Sequence, residues 1–206
     1  MIAFFIKEQQ LRMKIIEVPD YIRGLIFDCD GTLVDSMPLH MKAWEHAITQ
    51  AGGTWDYDFI FSKKGMQGKD ILASYNDSFG MNLDVEQTAR VKQEYFRKYC
   101  LEMKPIDAVV DIVHRYAPRL PMAIASGGSR ENVLLSLELI GIKQYFTVII
   151  TADDKDVQPK PSPEIFLEAA RRIHIDPRVC QVFEDGDIGL EAARKAGMVA
   201  TDIREL

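Results

Sequence analysis

Cysteine pairs and long apolar stretches are scarce in this sequence. Its three cysteines, Cys29, Cys100 and Cys180, are widely spaced and form no Cys-x-x-Cys pair. This spacing indicates neither a disulfide framework nor a zinc site. The apolar stretch 2–6 is too short for the core of a signal peptide and is followed by charged residues. The cytoplasm is therefore the simplest compartment, and we expect no association with a membrane.

Dense clusters of positive charge are absent as well. The formal net charge is -6, whereas binding to a nucleic-acid backbone is driven largely by lysine and arginine side chains that release counterions. We therefore expect no nucleic-acid partner. A small phosphorylated ligand is still compatible with this charge, because one lysine and one metal ion can reverse the local potential.

The composition is that of an ordinary soluble globular protein. Hydrophobic residues make up 47% and charged residues 27% of the 206 residues, and this length allows one large domain or a core domain with a smaller insert. We find no internal repeat and no low-complexity segment. We treat residues 1–18 as an N-terminal extension, and a translational start at Met13 stays open.

Short apolar runs alternate with amphipathic helical patterns along most of the chain. Five runs predict buried strands, at residues 25–27, 122–125, 148–150, 179–183 and 198–203. Helical patterns lie between them, at residues 108–116, 131–139, 163–173 and 190–196. Gly141 and Gly197 end two of these helices. This alternation predicts an α/β fold with a doubly wound parallel sheet.

One long interruption, residues 38–103, shows helical periodicity and no strand pattern. It follows the first strand directly, and ligands in open α/β sheets bind outside the carboxyl ends of the strands. We therefore predict a helical cap at residues 37–103 that covers the site. The cap is inserted into a core domain formed by residues 19–36 and 104–206.

Two acidic residues leave the first predicted strand. Asp28 and Asp30 are two positions apart, so both carboxylates can face one pocket. Carboxylates this close repel each other unless a cation lies between them. An isolated Asp-x-Asp sequence is more often just an acidic turn. Here, however, polar residues at the ends of other predicted strands could form a site together with Asp28 and Asp30.

Three further groups of this set lie beside other strands. Ser126 and Gly127 begin a Ser-Gly-Gly-Ser turn ahead of a helix, which suits an anion. Lys160 stands between two prolines that restrict its backbone. Glu184 and Asp185 close a later strand and supply hard oxygen ligands, which favour magnesium over zinc.

Together these segments resemble the four motifs of the haloacid dehalogenase (HAD) superfamily, in its β-phosphoglucomutase-like branch. The most specific parts are Asp-x-Asp-Gly-Thr-Leu-Val-Asp-Ser from Asp28, Lys-Pro-Ser-Pro-Glu-Ile-Phe from Lys160, and Phe-Glu-Asp ending at Asp185. The resemblance implies a magnesium-dependent phosphatase that acts through a phospho-aspartate. Members that hydrolyse fructose 1-phosphate-type sugar phosphates are the most similar, since they are equally short.

The resemblance also implies a role for each residue. Asp28 would be the nucleophile and Asp30 the general acid and base, and the presence of Asp30 argues against dehalogenation. The implied magnesium ligands are the Asp28 side chain, the Asp30 carbonyl, Asp185 and, in support, Glu184. The implied phosphate ligands are Ser126, Gly127 and Lys160.

The cap carries the least similar part of the sequence. Mutases of this branch have a Lys-Gly-x-Ser-Arg segment that contacts the sugar phosphate, whereas residues 64–69 here read Lys-Gly-Met-Gln-Gly-Lys. Lys64 and Lys69 are candidate substrate contacts, but a lysine lacks the bidentate fork of the missing arginine. His40, which matches a histidine of the first cap helix, is a third candidate.

Two alternatives stay open at this point. A phosphosugar mutase would use the same covalent step but return the phosphoryl group to the sugar, and the missing arginine weakens that interpretation. A receiver module would also carry a phosphorylated aspartate and a lysine on a doubly wound sheet, although receivers have no cap. We expect a small sugar phosphate as substrate, specificity set by the cap, and a monomeric protein.

Overall fold

In the computed structural model, which describes residues 16–64 and 66–205, parallel strands form the central sheet. The described strands are β1 (Gly24–Phe27), β2 (Val34–Asp35), β3 (Lys104–Pro105), β4 (Met122–Ala125), β5 (Val148–Ile150), β6 (Cys180–Glu184) and β7 (Val199–Asp202). Five of them form one sheet in the order β5-β4-β1-β6-β7, and every neighbouring pair is parallel. The winding reverses on either side of β1, which is where a ligand crevice forms in such sheets.

Helices cover the sheet and form a separate layer above its carboxyl edge. The described α-helices are α1 (Met37–Gln50), α2 (Tyr57–Ser62), α3 (Gly68–Phe79), α4 (Val85–Tyr99), α5 (Asp107–Tyr116), α6 (Arg130–Leu139), α7 (Glu164–Arg172) and α8 (Asp187–Lys195). Helices α1 to α4 belong to the predicted cap, and α5 to α8 alternate with the core strands. The predicted α/β fold is confirmed, with helix and strand bounds that differ from the predicted ones by at most three residues.

The side chains of β1 explain why an apolar run predicts this strand. Leu25 and Phe27 pack in the cluster that includes α5 and α6, whereas Ile26 packs in the cluster that includes α7 and α8. Successive side chains of a strand point to opposite faces, and helices cover both faces here. All four residues of β1 are buried, so no polar position interrupts the run.

A two-stranded antiparallel ribbon lies at the junction of core and cap. Val34 of β2 is opposite Pro105 of β3, and Asp35 is opposite Lys104. The chain leaves the core through β2 and returns through β3. The predicted cap, residues 37–103, is therefore the segment that connects these two strands in the sequence. The ribbon was not predicted, because strands of two residues carry no periodicity.

The cap has a hydrophobic cluster of its own and also packs on the core domain. Its own cluster is formed by Met41, Trp44, Ile48, Ile60, Ile71, Leu72, Tyr75 and Leu83. The Tyr75 hydroxyl donates to the Thr54 carbonyl at 2.6 Å and accepts from the Thr54 N–H at 3.0 Å. Other cap residues, including Leu39 and Phe96, pack in the same cluster as Phe27 of the sheet.

Most of the predicted extension, residues 1–18, lies outside the described residues, as does Met13. Ile16 is buried in the core cluster, and the Glu17 carbonyl accepts a hydrogen bond from Nε2 of Gln181 at 3.2 Å. The end of that segment therefore packs against the core domain. Among the described helices, none combines the length and the hydropathy needed to cross a bilayer.

Candidate active site

A cavity of about 310 Å³ lies between the carboxyl edge of the sheet and the cap. Strands β1, β4 and β6 end at this edge. The predicted site residues in the cavity wall are Asp28, Asp30, His40, Lys64, Lys69, Ser126, Gly127, Lys160, Glu184 and Asp185. The fold therefore brings together, at one cavity, all the residues that the sequence analysis selected.

The Lys160 ammonium group lies between two buried carboxylates. Its Nζ donates to Oδ1 of Asp28 at 2.6 Å and to Oε1 of Glu184 at 2.8 Å. The Lys160 side chain is only 3% exposed. Burial alone would lower the pKa of Lys160, but the charges of Asp28 and Glu184 and the two hydrogen bonds outweigh burial and raise it. Lys160 is therefore a permanent cation at this position.

The two carboxylates that share Lys160 have opposite pKa shifts. Burial raises the pKa of Asp28 well above its ordinary value, and the negative charges of Glu184 and Asp185 raise it further against the opposing effect of Lys160. Burial also opposes ionisation of Glu184, yet Lys160 and two backbone N–H donors lower its pKa. Glu184 thus favours its ionised form, whereas Asp28 needs further positive charge to ionise.

Three carboxylates form a cluster that fits a divalent cation. Oxygens of Asp28, Glu184 and Asp185 all lie within 4.8 Å of one another. Burial, followed by the charge of Glu184, raises the pKa of Asp185. A hard cation prefers carboxylate oxygens as ligands, and its positive charge would favour the ionised forms of Asp28 and Asp185. The Asp30 side chain lies outside this cluster, so any contribution from Asp30 would come from its carbonyl.

Glu184 is fixed in place by the loop and helix that follow it. Its Oε2 accepts hydrogen bonds from the N–H groups of Asp185 at 2.6 Å and Gly186 at 2.9 Å. Helix α8 passes directly beneath the carboxylate, and a Cβ on Gly189 would lie 1.6 Å from Oε1 of Glu184. Only glycine at position 189 leaves room for the carboxylate to reach Lys160.

Asp30 belongs to a second chain of polar contacts, which crosses from core to cap. Its Oδ1 accepts a hydrogen bond from Oγ of Ser36 at 2.6 Å and lies 3.2 Å from Nε2 of His40. On the other side of the imidazole, Nδ1 of His40 lies 2.8 Å from Nζ of Lys92. The His40 ring stacks on Phe96 with centroids 4.3 Å apart, which fixes its orientation.

Charge in this chain is set by burial and by the neighbours. Burial opposes ionisation of Asp30, but His40, Ser36 and Lys92 lower its pKa to about 2. Burial and the charge of Lys92 lower the pKa of His40, so the imidazole is largely neutral at neutral pH. Burial lowers the pKa of Lys92 to about 8, against the charge of Asp30. The low pKa of Asp30 favours its ionised form, with His40 and Ser36 as the main contributors.

The turn after β4 forms another part of the cavity wall. Ser126 is 1% exposed, and its Oγ accepts a hydrogen bond from the Gly128 N–H at 3.0 Å. Ser129 caps helix α6 by accepting from the Asn132 N–H at 3.4 Å. The turn and the first residues of α6 therefore face the cavity, as the Ser-Gly-Gly-Ser sequence predicts, and Gly127 lines it.

The two predicted cap lysines have different surroundings. Nζ of Lys64 donates to Oδ2 of Asp185 at 2.9 Å and to the Asp185 carbonyl at 3.0 Å. Nζ of Lys69 instead donates to Oε1 of Glu86 at 2.6 Å, where the two side chains are 61% and 74% exposed. Lys64 thus belongs to the acidic cluster, whereas Lys69 lies at the cavity rim. Gly65, between them, lies outside the described residues.

Several cavity residues were not identified from the sequence. Lys92, Gln93 and Asn132 are among them, and the contact of Ser36 with Asp30 was missed as well. Lys92 had a detectable signal: it falls four residues after Thr88 and four before Phe96 on the buried face of α4, where a lysine is unusual. Gln93 and Asn132 had none, because these residues lie on different helices and are 39 positions apart in the chain.

Packing accounts for three further side chains, those of Trp44, His46 and Cys29. Trp44 is buried in the cap cluster, although one side of it also lines the cavity. The rings of His46 and Tyr95 lie 4.7 Å apart. Cys29 is fully buried, and burial, with the charges of Asp30 and Asp28, raises the pKa of its thiol well above the ordinary value. It therefore packs as a neutral side chain.

The sequence profile of the haloacid dehalogenase-like hydrolases matches residues 25–202. This chain belongs to that family. The match includes all the cavity residues described above, from the end of β1 to the start of α8. It confirms that the chain is an enzyme of the hydrolase class, with the fold that the sequence predicts.

Comparison with individual relatives agrees with the family assignment. The fructose-1-phosphate phosphatase YqaB of Escherichia coli is 36% identical over 183 residues, which cover 89% of this chain and 97% of the relative. The β-phosphoglucomutase of Bacillus subtilis is 26% identical, with coverage of 88% and 83%. The crystal structure of a hydrolase from Pseudomonas syringae superposes with a TM-score of 0.76 at 26% identity and covers 89% of each chain.

The close approach of α8 to Glu184 predicts the effect of a single methyl group. We expect Gly189→Ala to displace the Glu184 carboxylate from Lys160 and to reduce kcat by about 100-fold or more, because misplacement by an ångström at an active site has this effect. Phosphate-release kinetics at saturating substrate would measure it. Glu191→Ala, an exposed position of the same helix, is the control. Wild-type kcat in folded Gly189→Ala would contradict the assigned position of Glu184.

The buried lysine of α4 predicts an alkaline limit to activity. Lys92 is charged below its pKa of about 8 and neutral above it, so kcat/KM for a phosphorylated substrate should decline as the pH rises through that value. Lys92→Met should lose this limb and have a lower kcat/KM at pH 7. Lys69→Met, on the same cavity wall, should retain it. An alkaline limb shared by wild type and Lys92→Met would show that another group titrates.

Proposed function

We propose that this protein is a phosphatase that releases inorganic phosphate from a small sugar monophosphate, with Mg²⁺ as cofactor. The observation that carries the proposal is that Asp28 and Asp30 share one capped cavity with Ser126 and Lys160. The cavity thus combines a nucleophile, a second acid and phosphate ligands. The relative named as a fructose-1-phosphate phosphatase supports a sugar phosphate of that kind as the substrate.

The first step transfers the phosphoryl group to the protein. A carboxylate oxygen of Asp28 attacks phosphorus, and the bond from phosphorus to the sugar oxygen breaks. Lys160 and Ser126 hold the phosphoryl oxygens during the transfer. Asp30 donates a proton to the departing sugar oxygen. Asp30 is ionised in the described arrangement, and the negative charge of a bound phosphate raises the pKa of a nearby carboxyl, which favours the protonated form.

The second step returns the enzyme to its starting state. Asp30, now ionised, takes a proton from a water molecule, whose oxygen attacks phosphorus as the bond to Asp28 breaks. Inorganic phosphate is released. The contacts of Asp30 with Ser36 and His40 favour its ionised form, which is the form that this step requires.

The acidic cluster is the proposed site for Mg²⁺. Asp28 and Asp185 would bind it through carboxylate oxygens and Asp30 through its carbonyl, with Glu184 supporting the cluster from its position beside Lys160. When bound, the cation neutralises charge on the phosphoryl oxygens and keeps Asp28 ionised. The raised pKa values of Asp28 and Asp185 support this assignment, because both carboxylates need positive charge to ionise fully.

Hydrolysis is favoured over the alternative mutase reaction by the cap. A mutase must bind a sugar bisphosphate at both ends, and no arginine lines the cavity among the described residues. Gly68 stands where the mutases of this branch have an arginine, and Lys69 is paired with Glu86 at the rim. A lysine offers a point charge without the bidentate fork that holds a phosphate.

The remaining alternative, a receiver module, does not account for the cap. A receiver needs an open aspartate that a partner kinase can reach, whereas Asp28 is buried at 7% exposure beneath the cap helices. The sugar that is hydrolysed, a monomeric state and a cytoplasmic location stay predictions.

The proposed function is tested by a phosphate-release panel. With Mg²⁺ and purified protein, we expect at least one of fructose 1-phosphate, glucose 1-phosphate and glucose 6-phosphate to be hydrolysed with a higher kcat/KM than p-nitrophenyl phosphate. Asp28→Asn should abolish turnover without unfolding the protein, and Asp30→Ala should lower kcat about 10²- to 10⁴-fold. Unchanged activity in Asp28→Asn would exclude the covalent mechanism.

The same protein distinguishes hydrolysis from transfer. Phosphorus NMR of a reaction with β-glucose 1-phosphate, Mg²⁺ and a trace of glucose 1,6-bisphosphate should show free phosphate as the main product. If glucose 6-phosphate accumulates faster than free phosphate, the protein is a mutase.

The acidic cluster predicts that Mg²⁺ stabilises the fold. At 100 times its dissociation constant, Mg²⁺ should add about 2.7 kcal/mol to the free energy of unfolding, which corresponds to a rise in Tm of roughly 5–10 °C. Asp185→Asn should reduce this rise, and a chelator should remove both the rise and the activity. The metal assignment fails if Tm does not respond to Mg²⁺ and the chelated enzyme stays active.

A further inference from the structure

Two amide side chains join the cap to the core inside the cavity wall. Gln93 of α4 and Asn132 of α6 form a reciprocal pair: Nδ2 of Asn132 donates to Oε1 of Gln93 at 3.0 Å, and Nε2 of Gln93 donates to Oδ1 of Asn132. Asn132 is 5% exposed, and Gln93 is half-buried. Both residues line the cavity, so the pair is accessible from the space that a substrate would fill.

The pair lies beside both groups of catalytic contacts. Gln93 follows Lys92, the lysine that contacts His40, directly in α4. Asn132 is in the first turn of α6, immediately after the turn that begins with Ser126. A sugar attached to a phosphoryl group at Ser126 would therefore reach the seam between α4 and α6.

Each amide keeps hydrogen-bonding capacity after the pair has formed. A primary amide has two N–H donors and a carbonyl oxygen with two lone pairs. The reciprocal pair uses one donor and one lone pair on each side chain, which leaves one of each for a ligand. A hydroxyl group is both a donor and an acceptor, so it matches what the pair has left to offer.

The other side chains of the cavity wall are less suited to recognise hydroxyl groups. Lys64 is paired with Asp185, and Lys69 is paired with Glu86. Gln67 is exposed and donates to the Ala152 carbonyl at 3.3 Å. Much of the cap side of the wall is apolar, through residues such as Met41, Trp44 and Ile71. Two buried side chains of the described wall are polar and uncharged, Ser126 and Asn132, and Ser126 is assigned to the phosphoryl group.

We propose that the Gln93–Asn132 pair determines specificity by binding a hydroxyl group of the leaving sugar. This inference rests on the proposed function, because it concerns the sugar that leaves when the phosphoryl group is transferred. It also explains how the cap can select a substrate while Asp28 and Lys160 act on any phosphoryl group. A polyol phosphate with a hydroxyl at the seam is accepted. A phosphate ester with an apolar group there leaves the remaining N–H and lone pair of each amide without a partner.

A second contact between the same helices provides a matched control. Arg97, one turn after Gln93, donates to Glu131, the residue before Asn132. Both side chains of this pair are exposed, at 48% and 59%, and neither lines the cavity. Arg97→Ala removes a link between cap and core without changing the cavity wall, so it separates recognition from simple joining of the two domains.

The test compares substrate preference among variants of the full-length enzyme. We measure kcat/KM for the best hexose monophosphate of the panel and for p-nitrophenyl phosphate, which has no sugar hydroxyl. Gln93→Leu and Asn132→Leu should each lower the ratio of the two values by about 10-fold or more. Arg97→Ala should leave the ratio unchanged. The exchanged double variant Gln93→Asn/Asn132→Gln, which keeps both amides, should recover part of the preference.

Deoxy analogues of the hexose phosphate identify the hydroxyl. The wild type should discriminate against the analogue that lacks the recognised hydroxyl, and Gln93→Leu should treat that analogue and the parent sugar alike. A preference retained by folded Gln93→Leu and Asn132→Leu would overturn the inference, as would equal losses in these variants and in Arg97→Ala. If the wild type itself prefers no hexose phosphate over p-nitrophenyl phosphate, the sugar phosphatase proposal fails, and the inference fails with it.

Discussion

The buried ammonium group of Lys160 is the interaction on which the rest of the site depends. Asp28, Glu184 and Asp185 are held within a few ångströms of one another at the edge of the sheet, and buried carboxylates this close repel strongly. Lys160 contacts two of them directly. Its charge allows the fold to keep this acidic cluster, which is the proposed site for the metal. Without it the site would hold uncompensated buried charge, which destabilises a fold severely.

The cap supplies positive charge to the acidic carboxyl edge of the sheet. Lys64 reaches Asp185, and the His40–Lys92 pair reaches Asp30, so positive charge from the cap lies against both acidic groups of the core. The cap also closes the cavity on the side where a leaving group would lie. Under the proposed function, core residues would contact the phosphoryl group, and the seam between cap and core would contact the sugar attached to it. The β2–β3 ribbon connects the two parts at one place.

Position in the sheet explains why so many site residues could be predicted. Asp28, Ser126 and Glu184 each follow or end a strand, and β1, β4 and β6 are neighbours in one parallel sheet. Their carboxyl ends must lie at the same edge. That residues far apart in the chain converge there can therefore be predicted without knowing how the side chains pack. Lys92 was missed because the helical pattern of α4 was interpreted only as amphipathic, although its spacing from Thr88 and Phe96 places it on the buried face.

The sequence by itself determined the α/β fold and the polar residues at the strand ends, because hydrophobic periodicity and the alternation of strands with helices can be read segment by segment along the chain. The tertiary structure alone decided which groups meet across the seam between cap and core. The contacts of Lys64 with Asp185 and of Gln93 with Asn132 depend on how the cap packs on the core, and that of Lys92 with His40 depends on how two cap helices pack. No periodicity within one segment encodes the relative position of two layers, so these contacts cannot be derived from the spacing of residues.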